Sequence, residues 1–251
     1  MSWDPGQYGR YADERGRPFH DLVTRIGATS PRRVVDLGCG SGALTATLQW
    51  RWPDAAVEGI DSSAQMIAAA APGVAVRKGD ITSWRPSSDT DVVISNAALQ
   101  WVPDHLALLR SWCAELPSGA WLGWQVPGNF GSPSHTLLRA LASSPRWTAQ
   151  LSGVLRHDAV ASPETYARLL LDGGFSADVW ETTYLHVLTG ADSVLEWVRG
   201  TGLRPVLEAL SPSAAAEFQA TYAAELRTAY PASNGCTVFA FRRIFCVGHK
   251  P

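Results

Sequence analysis

Three aspartates and a glycine turn carry the chemistry of this chain. The first aspartate sits in VVDLGCGSGALT (34–45), where Val34 and Val35 run into Asp36, then Gly38 and Gly40, then small and helix-forming residues. That order reads as a buried strand delivering the chain into a helix N-terminus. Gly38 and Gly40 permit a tight turn and let the backbone approach a ligand, and the N–H groups opening the next helix favour polar or negative ligand groups. With Ala43 the glycines fit the G-x-G-x-x-G/A dinucleotide pattern, which leaves a nicotinamide or flavin cofactor open. Asp36 points elsewhere. An ionised carboxylate two residues before the first glycine repels a phosphate and needs a donor, such as the amino group of a methionine moiety.

Asp61 closes the second apolar run, and a carboxylate at such a strand edge can accept both hydroxyls of a ribose. Its other reading is a helix N-cap, a role that Ser62 or Ser63 can fill instead. Asp80, in GDI after the third run, is placed to take an adenine amino group, with Ile81 packing on the ring. Ser95, Asn96 and Ala97 end the fourth run at the same edge, and Trp101 follows in NAALQWVP, where it lines an acceptor pocket. Cys39, inside the turn, reads as small filler against the sheet rather than as a nucleophile.

The elements that must hold these residues alternate. Strands 33–37, 56–60, 74–78, 91–95 and 120–126 are interleaved with helices 41–51, 63–70 and 104–116. Such βα units give an α/β fold with a doubly wound, mostly parallel sheet. Ahead of them Phe19, Leu22, Val23 and Ile26 recur at helical spacing, so residues 1–30 form a helical leader that covers the site at the strands' carboxyl ends. After the fifth strand the rhythm stops. Residues at about 127–160 and 190–231 are helical, rich in Ala, Leu, Ser and Trp, and read as cap insertions into a domain spanning 31–251. Between them helix 163–172 stops at Gly173 and Gly174 before strand 178–184, and the last strands, 237–247, complete the sheet as an antiparallel edge.

Composition narrows the partners. The formal net charge is −2 and charged residues make up 18%, so no global field recruits nucleic acid or a membrane. No NPPY-type tetrapeptide or Pro-Cys nucleophile follows the fourth strand, and no basic stripe tracks phosphates, which favours a small acceptor. The start lacks a signal-peptide core and no long apolar run occurs, so a cytoplasmic protein is expected. The four cysteines include no C-x-x-C pair and read as reduced thiols, with no metal site. Of the eleven tryptophans, Trp50, Trp52, Trp112 and Trp121 are expected only to pack.

The D-x-G-x-G-x-G form of motif I and the strand ends at Asp61, Asp80 and Asn96 together resemble the class I S-adenosylmethionine-dependent methyltransferases over residues 30–126. That resemblance implies a Rossmann-like fold, S-adenosyl-L-methionine as cofactor and S-adenosyl-L-homocysteine as product. It assigns the donor to Asp36, Gly38, Gly40, Asp61, Ser62, Met66, Asp80, Ile81, Asn96 and Ala97. The segments WDPGQYGRYADERGRPF, NAALQWVPDH, VPGNF, WETTYLH and TGLRPVLEAL further resemble the trans-aconitate 2-methyltransferases, over nearly the whole chain. What this second resemblance implies is an enzyme that esterifies one carboxylate of a small tricarboxylate, with Tyr8, Arg15, Arg17, Trp101, Tyr184, Arg204 and Arg243 at the acceptor. Guanidinium suits carboxylate through paired hydrogen bonds, although for each arginine alone a solvated or ion-paired surface role is an equal reading. Arg242 and Arg243 are adjacent, so on a strand only one faces inward, taken as Arg243. The alternatives are a methyltransferase for another small polar acid or a natural-product hydroxyl, and a non-catalytic S-adenosylmethionine-binding protein.

Overall fold

The computed structural model describes residues 12–70, 73–155 and 159–251, without the side chains of 12–15. Helix α1 (Ala12–Thr24) precedes β1 (Arg33–Leu37), α2 (Thr45–Arg51), β2 (Ala56–Asp61), α3 (Ala64–Ala68) and β3 (Val76–Lys78). Strand β4 (Thr90–Asn96), a 3-10 turn (Leu99–Trp101), α4 (His105–Glu115) and β5 (Trp121–Pro127) follow. The remaining elements are α5 (Pro133–Ala142), α6 (Thr148–Leu151), α7 (Pro163–Asp172), β6 (Asp178–Thr189), α8 (Ser193–Arg199), α9 (Arg204–Ala209), α10 (Pro212–Ala229) and β7 (Cys236–His249).

One sheet runs β3-β2-β1-β4-β5-β7-β6. The first five strands are parallel to one another, and β7 is antiparallel to β5, with Trp124 opposite Cys246. Two expectations are corrected here. The carboxy-terminal strand is not the edge: it is inserted between β5 and β6, and the edge falls to β6. Its own burial gives the reason, since from Arg243 onward β7 is buried on both faces as only an interior strand can be. The first helix of the doubly wound core also begins late, at Thr45 rather than residue 41. Gly38, Gly40 and Gly42 all have positive φ (82°, 60° and 75°), left-handed conformations that a right-handed helix cannot include.

The chain divides into two units, the first Met1–Pro127, Ala159–Thr182 and Arg243–Pro251, the second Gly128–Asp158 and Thr183–Arg242. Strands β6 and β7 contribute residues to both. In the first unit, Val35, Leu37, Val93, Leu122 and Trp124 bury one sheet face beneath Leu109, Trp112 and Cys113 of α4 and Tyr166, Leu169 and Leu170 of α7. The other face takes α1 through buried Phe19, Leu22, Val23 and Ile26. Gly123 allows that approach, because a Cβ there would lie 3.2 Å from Ile26. Helices on both faces are what βα alternation demands. Trp52 and Trp112 are buried, but Trp50 is 84% exposed and packs on nothing substantial, contrary to expectation.

The second unit is helical apart from its stretches of β6 and β7. In it the Tyr222 hydroxyl of α10 donates to the Ser134 carbonyl of α5, and Trp147 meets Phe218 edge-on. His186 stacks on Trp197, which packs against Phe239 and Phe241. Helix α10 is opened by Pro212 and capped by Ser211, whose hydroxyl accepts from the Ala214 N–H.

Candidate active site

In the first unit the glycine turn is tied to the end of β2 rather than left open. Gly38 and Cys39 donate their N–H groups to the Ile60 carbonyl at 2.8 and 3.2 Å, and Gly40 donates to Asp61 Oδ2 at 2.9 Å. The turn's own leading N–H groups are thus satisfied by β2, and α2 starts beyond the turn, at Thr45. Asp61 Oδ1 accepts from the Ser63 N–H at 2.8 Å, so the carboxylate bridges the turn and the start of α3. The N-cap itself is Ser63, whose hydroxyl accepts from the Met66 N–H; Met66 is buried and Ser62 is exposed.

The two glycines do different work. A Cβ on Gly38 would stand 2.3 Å from the Ala98 Cβ, so Gly38 is where the turn touches the segment after β4. A Cβ on Gly40 would meet no described residue within 4 Å, so among the described residues the space over it is open. Asp36 is buried below, 3% exposed, and receives the Thr45 hydroxyl at 2.6 Å. Burial raises its pKa from 3.8 to about 7, opposed by the Thr45 bond and assisted by the nearby Asp61 charge. Burial also pushes the Cys39 thiol up, aided by the Asp36 and Asp61 charges, so it is no nucleophile.

At the end of β4, Ala97 takes a left-handed backbone (φ 54°) that a non-glycine residue rarely adopts. Two bonds hold it there: its N–H donates to the Gln125 carbonyl at 2.8 Å, and Gln100 Nε2 donates to its carbonyl at 2.6 Å. Asn96 presents a buried Oδ1 that has no hydrogen-bond partner among the described residues. Asp80 is exposed, and its Oδ1 accepts both the N–H (2.8 Å) and the hydroxyl (2.7 Å) of Thr82, which lowers its pKa. Ile81 is half-buried against the core beneath β1 and β4.

The acceptor candidates fare unevenly. Tyr8 and the side chain of Arg15 lie outside the described residues. Arg17 is exposed on α1 and Trp101 is half-buried in the 3-10 turn. Arg243 is 5% exposed, and its Nη1 donates to Gln125 Oε1 at 3.1 Å. In the second unit Tyr184 is buried on β6, and Arg204 donates to Glu208 Oε1 one turn on along α9 at 2.8 Å. Arg242 is exposed there, its Nε bonded to the Gly128 carbonyl. Sequence reasoning overlooked Thr45, Gln100 and Gln125, each a polar residue that the structure buries against a candidate site residue.

A doubly wound sheet whose first crossover turns through a glycine loop, with a carboxylate ending the second strand, is the framework of a nucleoside-binding domain. A methyltransferase-domain family model matches residues 9–178. The chain is 53% identical over 249 residues to the trans-aconitate 2-methyltransferase of Rhodococcus jostii, covering 98% of each chain. It is 49% identical to that of Streptomyces avermitilis, covering 99% of this chain and 97% of the relative. Among solved structures it shares the fold of geranyl diphosphate C-methyltransferase from Streptomyces coelicolor, with a TM-score of 0.52 at 14% identity over 96% of this chain and 80% of that one. The chain belongs to the trans-aconitate 2-methyltransferase family.

Proposed function

We propose that this enzyme transfers a methyl group from S-adenosyl-L-methionine to one carboxylate of trans-aconitate, giving the monomethyl ester and S-adenosyl-L-homocysteine. The observation that carries the reading is the identity of 53% over 98% of both chains, which spans residues 127–160 and 190–231 as well as the parallel strands. The first unit fits the donor. Open space over Gly40, the Asp61 carboxylate with lone pairs left for ribose hydroxyls, the orphaned Asn96 Oδ1 and the buried Asp36 suit a nucleoside that carries an amino group. Asp80 accepts from Thr82 through Oδ1, which leaves Oδ2 for an adenine amino group, and Ser62, Met66 and Ile81 complete the proposed donor set. Bound there, the donor supplies an electrophilic methyl group on a sulfonium.

On the acceptor side the reading assigns Tyr8, Arg15, Arg17, Trp101 and Arg243, with Trp101 and Tyr8 positioning the reacting carboxylate. The acceptor needs no general base, because a carboxylic acid with an ordinary pKa of about 4 is already ionised at neutral pH. Two of the described histidines support this reading. His135 is pushed down to about 4 by burial and by Arg139, and His105 is buried on Tyr166 with Nε2 2.8 Å from the phenol oxygen. What remains for the protein is orientation and exclusion of water from a reaction that disperses charge. Turnover with isotope-labelled donor and trans-aconitate, cis-aconitate, citrate and isocitrate tests the reading. It stands if trans-aconitate gives the highest kcat/KM with an ester product, and falls if another acceptor does.

A further inference from the structure

Gln125 is the one amide side chain in the buried strand WLGWQVP, and it is 0% exposed. Its carbonyl oxygen accepts from Arg243 Nη1 at 3.1 Å. A guanidinium only donates, so this contact fixes which end of the amide faces Arg243 and turns Nε2 away from it. That Nε2 is buried and has no hydrogen-bond partner among the described residues. An amide donor removed from water without an acceptor is costly, and such groups are rare in folded interiors.

Its surroundings say which ligand it faces. Gln125 is the register partner of Asn96, and its backbone carbonyl holds the Ala97 N–H, so it adjoins the strand end that meets the glycine turn through Ala98 and Gly38. The alternation of β5 sets Gln125 on the α1 face, with Trp121 and Gly123 and opposite Leu122 and Trp124. Arg243 lies on the same face, opposite Pro127 in the antiparallel pair. A neutral amide donor held against a buried cation, at the carboxyl end of the central strands, is a place for an anion.

We propose that Gln125 is a specificity-determining residue: its Nε2–H donates to a carboxylate oxygen of the methyl acceptor, while its Oε1 holds the Arg243 guanidinium in position for the same anion. This rests on the carboxylate-acceptor reading above and deepens it. The amide is suited to the task because it can accept from the arginine and donate to the substrate at once. A carboxylate at this position accepts from the arginine equally well but has nothing to donate and repels the anion. Apolar isosteres release the arginine and lose the donor.

The test compares wild type with Gln125→Glu and Gln125→Met, each first checked for a wild-type thermal midpoint and for S-adenosylhomocysteine affinity by calorimetry. Steady-state kinetics then follow with trans-aconitate and with a dicarboxylate analogue. The expected result is S-adenosylhomocysteine affinity within threefold of wild type, and KM for trans-aconitate at least tenfold higher in Gln125→Glu and severalfold higher in Gln125→Met. The loss in Gln125→Glu should be greater for the trianion than for the dianion. Donor affinity kept with KM also kept overturns the Gln125 assignment alone. Loss of donor affinity in both variants also overturns it, in favour of a structural or donor role. If wild type esterifies a different carboxylic acid, the trans-aconitate reading falls and the same KM comparison on that acid decides Gln125. If wild type methylates only hydroxyl or amine acceptors, both fall.

Discussion

Asp61 Oδ2 accepts the N–H of Gly40 at 2.9 Å. A residue assigned to the ribose therefore also sets the shape of the glycine turn, and the turn and the start of α3 are coupled through one carboxylate. Replacing Asp61 by Ala should weaken S-adenosylhomocysteine by about 2 kcal/mol or more, since charge-assisted bonds are lost from a partly buried site. Calorimetry checks this, and an unchanged Kd would reject Asp61 as a donor ligand.

Asp36 gives a pH dependence of definite sign. Its folded-state pKa lies above the unfolded value of 3.8, at about 7, so the contribution to stability is fully present below pH 4 and is lost as pH rises through 7. Asp36→Asn should therefore flatten that part of the stability profile between pH 4 and 7, and should make the ligand-free protein more stable than wild type at pH 8. Denaturant titrations at pH 5 and 8 measure both. If Asp36 faces the donor's ammonium, binding favours its ionised form and releases protons near pH 6.5. Calorimetry in two buffers of different ionisation enthalpy reads that release, and zero release removes the ammonium from this carboxylate.

Gly38 and Gly40 should fail differently. Gly38→Ala meets both a left-handed φ of 82° and an Ala98 Cβ at 2.3 Å, so it should lower the thermal midpoint strongly. Gly40→Ala meets the backbone penalty alone, about 1–2 kcal/mol, and its methyl enters the open space assigned to the donor. It should fold with a modest loss of stability and a larger loss of S-adenosylhomocysteine affinity. Equal thermal losses in the two variants would contradict this division.

With no proton to remove, kcat at saturating donor and acceptor should stay nearly flat from pH 6 to 8.5. Folded His105→Gln and His135→Gln variants should keep kcat within about tenfold, because loss of a general base costs on the order of 10²–10⁴. Trp101→Ala should lower kcat by admitting water. A single histidine whose loss abolishes turnover while both ligands still bind would favour a hydroxyl acceptor.

The parallel core was legible because each βα unit is written locally, as an apolar run, a turn and an amphipathic helix. The place of β7 was not, because insertion between β5 and β6 joins segments far apart in sequence, and alternation reports burial without naming the neighbour. The late start of α2 is not written in the sequence, because a glycine costs a helix only about 1 kcal/mol and it is the positive φ of Gly42 in the folded turn that excludes it. Asp61 and Asn96 could be found at strand ends, whereas Thr45 and Gln100 act through bonds that only the folded turn creates. Gln125 did carry a signal: a lone amide in an otherwise apolar strand must answer for its hydrogen bonds.

Cys39 sits within this turn, its sulfur close to Gly59, with its thiol kept protonated by burial and by Asp36 and Asp61. A protonated thiol alkylates slowly, so Cys39 should stay silent towards iodoacetamide for as long as the turn remains docked on β2. The half-buried Cys236 of β7, in the second unit, serves as the internal reference. The ratio of label at the two positions, read by mass spectrometry, then becomes a clock for opening of the donor loop, and saturating S-adenosylhomocysteine should slow it.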